Sequence, residues 1–135
     1  MSLESEGSNL RQEEPERTYA VRLRPRARRD FDIESVRLAE LEGDEIALDW
    51  LEKLQEAIGS LSVWPRRFAL APEENLIERR VRVMLFRRTS GGPAWRIFYT
   101  VEDADEDGFV VRVRHIRHGA SPLNEHDLQE LLSDA

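Results

Sequence analysis

The sequence lacks cysteine, has a single lysine (Lys53) among its 20 basic residues, and contains no apolar run near the roughly 20 residues that a membrane span requires. The absence of cysteine excludes disulfides and thiolate metal sites and fits a reducing compartment. No apolar secretory segment stands at the N-terminus, so we expect a cytoplasmic protein. The chain has 135 residues, 40% of them hydrophobic and 35% charged, and is expected to fold as one soluble domain.

The net charge of −7 is distributed unevenly along the chain. Residues 1–17 hold five acids against two arginines, and residues 120–135 hold four acids and no lysine or arginine. Residues 30–56 hold ten acids against two basic residues, whereas residues 79–117 hold nine arginines against five acids. A domain with this separation of charge can turn a basic surface towards an anionic partner despite its acidic total.

Composition divides the chain into three parts. Residues 1–17 are rich in Glu, Ser, Gly and Asn without apolar periodicity, which predicts a disordered acidic tail. Residues 18–119 are predicted to form the single folded domain. Residues 120–135 are predicted to be an acidic C-terminal tail or a short helix, because leucines recur there at helical spacing.

Hydrophobic periodicity predicts an α+β fold. An N-terminal strand stopped by Pro25 is followed by two helices whose short linker forces an antiparallel hairpin, with Asp44 as the N-cap of the second helix and Pro65 as its end. A loop and a three-stranded antiparallel meander complete one sheet with the helices on one face. The predicted bounds are residues 19–24 for the first strand, 26–41 and 46–61 for the helices, 66–75 for the loop, and 78–86, 94–101 and 108–116 for the meander.

Alternation along the strands predicts two different faces of the sheet. The apolar face, to be covered by the helical hairpin, comprises Tyr19, Val21, Leu23, Val81, Val83, Leu85, Trp95, Ile97, Tyr99, Val101, Phe109, Val111 and Val113. The opposite face comprises Arg22, Arg24, Arg80, Arg82, Arg96, Arg112 and Arg114, with Phe98 and Met84 among them. These arginines are either a solvated face paired with acids of the tails or a surface for an anionic partner, with Phe98 as a stacking platform for a base.

The candidate chemistry lies where the last strand leaves the sheet. The segment of residues 112–118 holds three arginines and two histidines, namely Arg112, Arg114, Arg117, His115 and His118. Metal-independent cleavage of RNA at its own 2′-hydroxyl needs a base, an acid and cations around the phosphate, and imidazole and guanidinium supply these groups. The alternatives are a partly buried structural histidine at 115, on the face of Val111 and Val113, and an ordinary loop residue at 118. Neither a metal site nor a cofactor site is expected, because no cysteine or carboxylate completes a ligand set and no phosphate-binding loop is present.

The chain resembles the RelE/ParE toxin superfamily of type II toxin–antitoxin systems, most closely the members described as plasmid-stabilisation proteins. The resemblance covers residues 18–119 and rests on the order of strand, helical hairpin and meander together with four local motifs. The motifs are YAVRLRPRARRD at residues 19–30, Leu61 followed by Trp64 and Pro65, WRIFY at residues 95–99, and VRHIRHG at residues 113–119.

The resemblance implies a toxin neutralised by a small cognate antitoxin that wraps it with a helix and an extended segment. The RelE-like branch cuts mRNA in the ribosomal A site, and the ParE-like branch poisons DNA gyrase without being a nuclease. When the family's functional residues are transferred by position in these motifs, the catalytic candidates are Arg96, His115, Arg117 and His118. The RNA- or partner-binding candidates come from the arginine face of the sheet and are Arg22, Arg80, Arg82, Phe98, Arg112 and Arg114.

The leading expectation is therefore a ribosome-dependent mRNA endonuclease, with a gyrase inhibitor or an inactive antitoxin-binding relative as the alternative. The lysine cluster and C-terminal tyrosine of the ribosome-dependent nucleases are missing from this chain. Expected partners are the antitoxin and either the ribosome with mRNA or gyrase, with no membrane, in a homodimer or a toxin–antitoxin hetero-oligomer. A further hypothesis is that the acidic C-terminal segment lies across the arginine face as an internal mimic of antitoxin or RNA.

Overall fold

The computed structural model describes residues 17–105, 108–119 and 122–133, so the expected disordered tail lies, except for Arg17, outside the described residues. The strands are β1 (Ala20–Leu23), β2 (Arg82–Arg87), β3 (Ala94–Asp105) and β4 (Gly108–His118). The helices are α1 (Pro25–Glu42), α2 (Asp44–Gly59), α3 (Glu74–Glu78) and α4 (Glu125–Leu132), with 3-10 turns at Ser60–Ser62 and Pro65–Arg67. Over these ranges, no helix combines the length and the apolar character needed to cross a membrane.

The four strands form one sheet in the order β1-β4-β3-β2. β2, β3 and β4 are the predicted antiparallel meander, and β1 pairs in parallel with β4 from Ala20 opposite Val110 to Leu23 opposite Val113. A parallel pair needs a crossover connection, which the α1–α2 hairpin supplies while it packs on one face of the sheet. The prediction of an α+β fold with a helical hairpin on one face is confirmed.

The two long helices begin and end at residues that only partly match the predicted ones. Pro25 opens α1 at its first turn, where a missing N–H costs nothing. Gly43, at φ 99°, separates the helices and is itself the N-cap of α2, so Asp44 is the first helical residue and not the cap. α2 ends at Gly59, ahead of Pro65, because the chain tightens there into a 3-10 turn.

The side chains of strand β2 point to the opposite faces of the sheet from those predicted. It begins at Arg82 because α3 occupies part of the predicted loop and Arg80, at φ 57°, turns the chain before the strand. Met84 and Phe86 therefore pack under the hairpin, whereas Leu85 is 58% exposed on the opposite face. Alternating apolar residues fit either phase, and a one-residue shift exchanges the two faces.

A β-bulge in β4 reverses the alternation predicted for its second half. Phe98 pairs with His115 and Tyr99 pairs with Val113, which leaves Arg114 as the extra residue. As a result, His115 lies on the face of Phe98 and not on the face of Val113, so its predicted placement is wrong. Ile116 lies in the core under the hairpin.

The sheet is covered on parts of both faces. A large core lies between the sheet and the α1–α2 hairpin, around Trp50, Leu54 and Tyr99. A second cluster lies on the face away from the hairpin, hereafter the second face, and contains Ala71, Leu76, Val81, Phe98 and Leu131, with Val83, Leu123, Leu128 and Leu132 at its margin. The face was expected to be open, either as a solvated surface or as a surface for an anionic partner, but around Phe98 it is covered by apolar side chains of α3 and α4.

Candidate functional site

Three of the four proposed catalytic residues lie together on the second face. The β3–β4 register sets Arg96 opposite Arg117 and Phe98 opposite His115. The rings of Phe98 and His115 stack with centroids 5.8 Å apart and planes inclined by 16°. The guanidinium carbon of Arg96 lies 5.2 Å from the centroid of the Phe98 ring, within range of a cation–π contact. This geometry brings two cations and an imidazole around one aromatic platform.

His115 is a buried histidine held by Asp30 of α1. Its Nδ1 lies 2.6 Å from Oδ2 of Asp30, and the same oxygen accepts the backbone N–H of Ile116 at 3.0 Å. Asp30 can reach this edge of β4 because β1 ends at Leu23 and leaves the second half of β4 uncovered by a strand. Nε2 of His115 is buried without a hydrogen-bond partner among the described residues. A carboxylate that orients the first nitrogen leaves the second available for proton transfer.

Asp127 of α4 lies between two arginines, one in α1 and one in β4. Its Oδ1 accepts from Arg26 at 3.2 Å and its Oδ2 from Arg117 at 2.9 Å. The neighbouring Glu130 accepts from Arg26 at 2.6 Å and lies 3.7 Å from Arg29. Burial by itself would raise the pKa of Asp127, but the backbone N–H bond within the Asn124 cap and the charges of the arginines outweigh it, so this pKa lies below its ordinary value.

Three further arginines of the second face, Arg96, Arg112 and Arg114, also have partners inside the chain. Arg96 pairs with Glu73, just before α3, at 3.2 Å. Arg112 donates from Nε to both oxygens of Glu102, at 3.0 and 3.1 Å. Arg114 donates to Thr100 at 3.0 Å and to the backbone carbonyl of Ser133, after α4, at 3.3 Å. The carboxylates beside Arg96, Arg112 and Arg114 come from the loop before α3 and from β3, and the C-terminal segment contributes a backbone carbonyl.

The remaining candidates are distributed elsewhere. Arg82 points to the hairpin side and donates to the carbonyl of Phe68 at 2.7 Å, contrary to the predicted face. Arg80 lies in the left-handed turn before β2, outside the sheet. Arg22 lies on β1 opposite Arg112. His118 lies on the hairpin side, with its ring 4.9 Å from that of Trp95, so it does not join His115.

A separate polar group surrounds His118. Glu34 of α1 accepts from Nε1 of Trp95 at 2.8 Å and from the guanidinium of Arg37 at 2.9 and 3.1 Å. Burial alone would raise the pKa of Glu34, but the bonds from Arg37 and Trp95 and the charge of His118 hold it below its ordinary value. His118 is thus an exposed neighbour of a structural ion pair rather than part of the second-face cluster.

Sequence reasoning missed the carboxylates that complete the cluster. Asp30 and Arg26 form an i,i+4 pair on α1 at 3.1 Å, a spacing that can be read from sequence. Asn124 and Asp127 form a capping box at the start of α4, another local signal. Their convergence on His115 and Arg117 is a long-range contact with no local signature. Among the described residues, no three His, Asp or Glu side chains are grouped as metal ligands.

Comparison with known proteins is consistent with this architecture. The model of a family described as the ParE toxin of type II toxin–antitoxin systems, parDE, matches residues 21–121. A solved structure titled as a chromosomal ParDE toxin–antitoxin system from P. aeruginosa is similar in fold, with a TM-score of 0.58 and 18% sequence identity over 76% of this chain and 98% of that chain. No curated protein matches the sequence.

Proposed function

Because this chain belongs to the ParE toxin family of type II toxin–antitoxin systems, we propose that it is a toxin that acts by binding DNA gyrase and not by cutting RNA. The expectation of a RelE/ParE-type toxin with an antitoxin partner is confirmed by the family match. The inhibited target and the mode of action belong to the proposal. The cytoplasmic location and the assembly with antitoxin into a hetero-oligomer are also part of the proposal.

The observation that carries the binding mode is the internal neutralisation of the proposed catalytic side chains. An RNA-cleaving centre must present cations to a phosphate and an imidazole to a ribose hydroxyl. Here each such side chain on the second face already has a carboxylate of this chain against it. The pairs are Arg96 with Glu73 at 3.2 Å, Arg117 with Asp127 at 2.9 Å and His115 with Asp30 at 2.6 Å.

The burial of Phe98, in addition to these ion pairs, disfavours an exposed nuclease centre. Phe98 is fully buried in a cluster with Leu131 of α4, so a base has no access to its ring in this arrangement. His118 lies on the other side of the sheet against Trp95. The two histidines therefore cannot serve as a base and an acid on the same scissile bond.

A ribosome-dependent mRNA endonuclease is the second candidate, and one observation favours it. Arg96, Arg117 and His115 share one face, and Asp30 orients the imidazole as a catalytic carboxylate would. Such an activity would require α4 to leave the second face before RNA could reach these groups. The two candidates therefore differ in what substitution of Arg96 would do.

Controlled expression in bacteria with pulse labelling of DNA and protein synthesis tests the proposal. We expect DNA synthesis to fall first, and purified protein to inhibit supercoiling by gyrase in vitro. Arg96→Ala should retain this effect, as should the matched control Arg87→Ala, an arginine exposed at the end of β2. Early arrest of translation that Arg96→Ala relieves and Arg87→Ala does not would instead establish the endonuclease candidate.

A further inference from the structure

The loop that follows α2 and its 3-10 turn presents two large apolar side chains to solvent. We call residues 63–68 the Trp64 loop. Its first two side chains, Val63 and Trp64, are each 42% exposed. Because the two residues are adjacent and one of them is a tryptophan, they form a small apolar surface next to the helical hairpin.

The backbone of Trp64 has a conformation that both its own side chain and the following residue disfavour. Its φ and ψ are 52° and 53°, in the left-handed region. A bulky residue rarely adopts a positive φ, and the residue before a proline, here Pro65, prefers an extended backbone. Such conformations persist only where the surrounding structure over-determines them, and they are concentrated at functional sites. The strain at Trp64 therefore favours a role for this loop beyond joining α2 to the sheet.

The side chains of Arg67, Tyr99 and Arg82 hold the Trp64 loop by donating hydrogen bonds to its carbonyl oxygens. The bonds run from Arg67 to Val63 and Trp64 at 2.7 and 3.1 Å, from Tyr99 to Pro65 at 2.6 Å, and from Arg82 to Arg66 and Phe68 at 3.3 and 2.7 Å. Tyr99 is fully buried and Arg82 lies on β2, so the loop is fixed to the sheet itself. Trp64 is thus held in place before any partner arrives, which lowers the entropic cost of binding.

The Trp64 loop is separate from the surface that α4 covers. Arg66 of the loop pairs at 3.1 Å with Asp103, in the last part of β3. Arg117, which pairs with Asp127 of α4, lies instead opposite Arg96 near the start of β3. Val63 and Trp64 are therefore exposed while α4 is docked.

We propose that Trp64, with Val63 beside it, is the anchor by which this toxin binds its target protein, and that the target receives the indole in an apolar pocket. This inference rests on the proposed function in that it takes the target to be DNA gyrase. Tryptophan is enriched among the few residues that carry most of the energy of protein–protein binding. It supplies a large contact area at a low cost in side-chain entropy.

The charges around the loop favour a protein pocket over a stacked nucleic-acid base. Arg67 uses both terminal nitrogens within the chain, on backbone carbonyls and on Oγ of Ser60. Arg66 pairs with Asp103, whose carboxylate would repel a phosphate. Stacking of a base is supported by cations that follow the nucleic-acid backbone. An apolar pocket needs only the indole and the valine beside it.

Binding of the purified chain to the gyrase holoenzyme, measured by biolayer interferometry, tests the anchor. Trp64→Gly removes the indole and leaves the loop able to fold, because glycine adopts this φ without strain. We expect this variant to bind gyrase at least about tenfold more weakly than the wild type. Leu48→Ala, the matched control, removes an exposed apolar side chain from α2 and should bind like the wild type. Equal affinities of the wild type and of folded Trp64→Gly would overturn the proposal.

Growth inhibition by the toxin expressed alone separates the anchor from the identity of the target. Suppose that the wild type does not bind gyrase, yet Trp64→Gly relieves growth inhibition and Leu48→Ala does not. The proposed function would then fail, and the anchor would stand on another target. A wild type that neither binds gyrase nor inhibits growth would overturn both. Tighter binding of a ten-nucleotide single-stranded DNA than of gyrase, lost in Trp64→Gly, would overturn the protein anchor in favour of a nucleic-acid site.

A second measurement, on the wild type, covers the case in which Trp64→Gly does not fold. Hydroxyl-radical oxidation of Trp64, read by mass spectrometry, should fall when gyrase is saturating. Oxidation of Leu41, exposed near the end of α1, should not change. Unchanged oxidation of Trp64 in the complex with gyrase would reject the anchor while leaving the proposed function in place.

Discussion

The carboxylate of Asp30 and the imidazole of His115 lie 2.6 Å apart and join the first long helix to the last strand across 85 residues of sequence. The same Asp30 oxygen accepts the backbone N–H of Ile116, so a side chain of α1 continues the edge of β4 where β1 has ended. Asp30 also pairs with Arg26, which in turn holds Asp127. One carboxylate thus links the strand edge, the helical hairpin and the C-terminal helix.

Replacing Asp30 by alanine is expected to destabilise the protein. The change leaves the N–H of Ile116 and Nδ1 of His115 without their acceptor, and loss of a hydrogen-bonded, largely buried carboxylate costs about 3 kcal/mol. Urea denaturation followed by circular dichroism measures the change in the free energy of unfolding. Asp32→Ala, at an exposed position of the same helix, is the control and should stay within about 0.5 kcal/mol of wild type. Equal effects of the two substitutions would show that the Asp30 contacts add nothing.

Acid should release α4 before the domain unfolds. The pKa of Asp127 lies below its ordinary value of 3.8, so its folded-state charge contributes stability above that value, and this stability is lost as pH falls through the lowered pKa. Amide hydrogen exchange of Glu125–Leu132, followed as pH is lowered stepwise from neutral to well below 3.8 and corrected for the intrinsic rate, reports the release. In Asp127→Asn, α4 should already be destabilised at neutral pH and change less on acidification. The same pH response in both proteins would place the titrating group elsewhere.

Because neighbouring side chains of β2 point to opposite faces of the sheet, replacing Met84 and Leu85 by alanine should lower the free energy of unfolding by different amounts. Met84 is buried under the hairpin and Leu85 is 58% exposed, so Met84→Ala should lower the free energy of unfolding by about 2 to 4 kcal/mol. Leu85→Ala should change it by less than about 0.5 kcal/mol. Chemical denaturation of both variants under one set of conditions gives the comparison. A larger loss of unfolding free energy for Leu85→Ala would indicate that Leu85 and not Met84 is buried under the hairpin, as alternation alone suggests.

His118→Ala should leave the toxin active. The side chain is exposed on the hairpin side and lies against Trp95, away from Arg96 and Arg117. We expect growth inhibition on induction and inhibition of gyrase in vitro to stay within about twofold of wild type, and stability within about 0.5 kcal/mol. Loss of toxicity by a stably folded His118→Ala protein would argue that this imidazole takes part in chemistry.

Local patterns in the sequence were enough for the strands and the two long helices, though not for α3, and for much of the candidate cluster. Apolar spacing in α2 and the turn signals between the strands predicted a hairpin and a meander, because helix and strand periods are properties of neighbouring residues. The WRIFY and VRHIRHG motifs selected Arg96, His115 and Arg117, which the register does bring together. The roles of these residues in binding or catalysis remain predictions.

The tertiary structure alone decided which face each of these side chains takes and what lies against it. A single extra residue at Arg114 moved His115 to the face of Phe98, and the turn at Arg80 exchanged the faces of β2. Alternation cannot anticipate such shifts, since one residue in phase reverses every later side chain. The carboxylates of Glu73, Asp30 and Asp127 reach their partners across 23, 85 and 10 residues. The sequence by itself therefore determined the composition of the arginine surface, and long-range packing determined that acids and leucines of the same chain cover it.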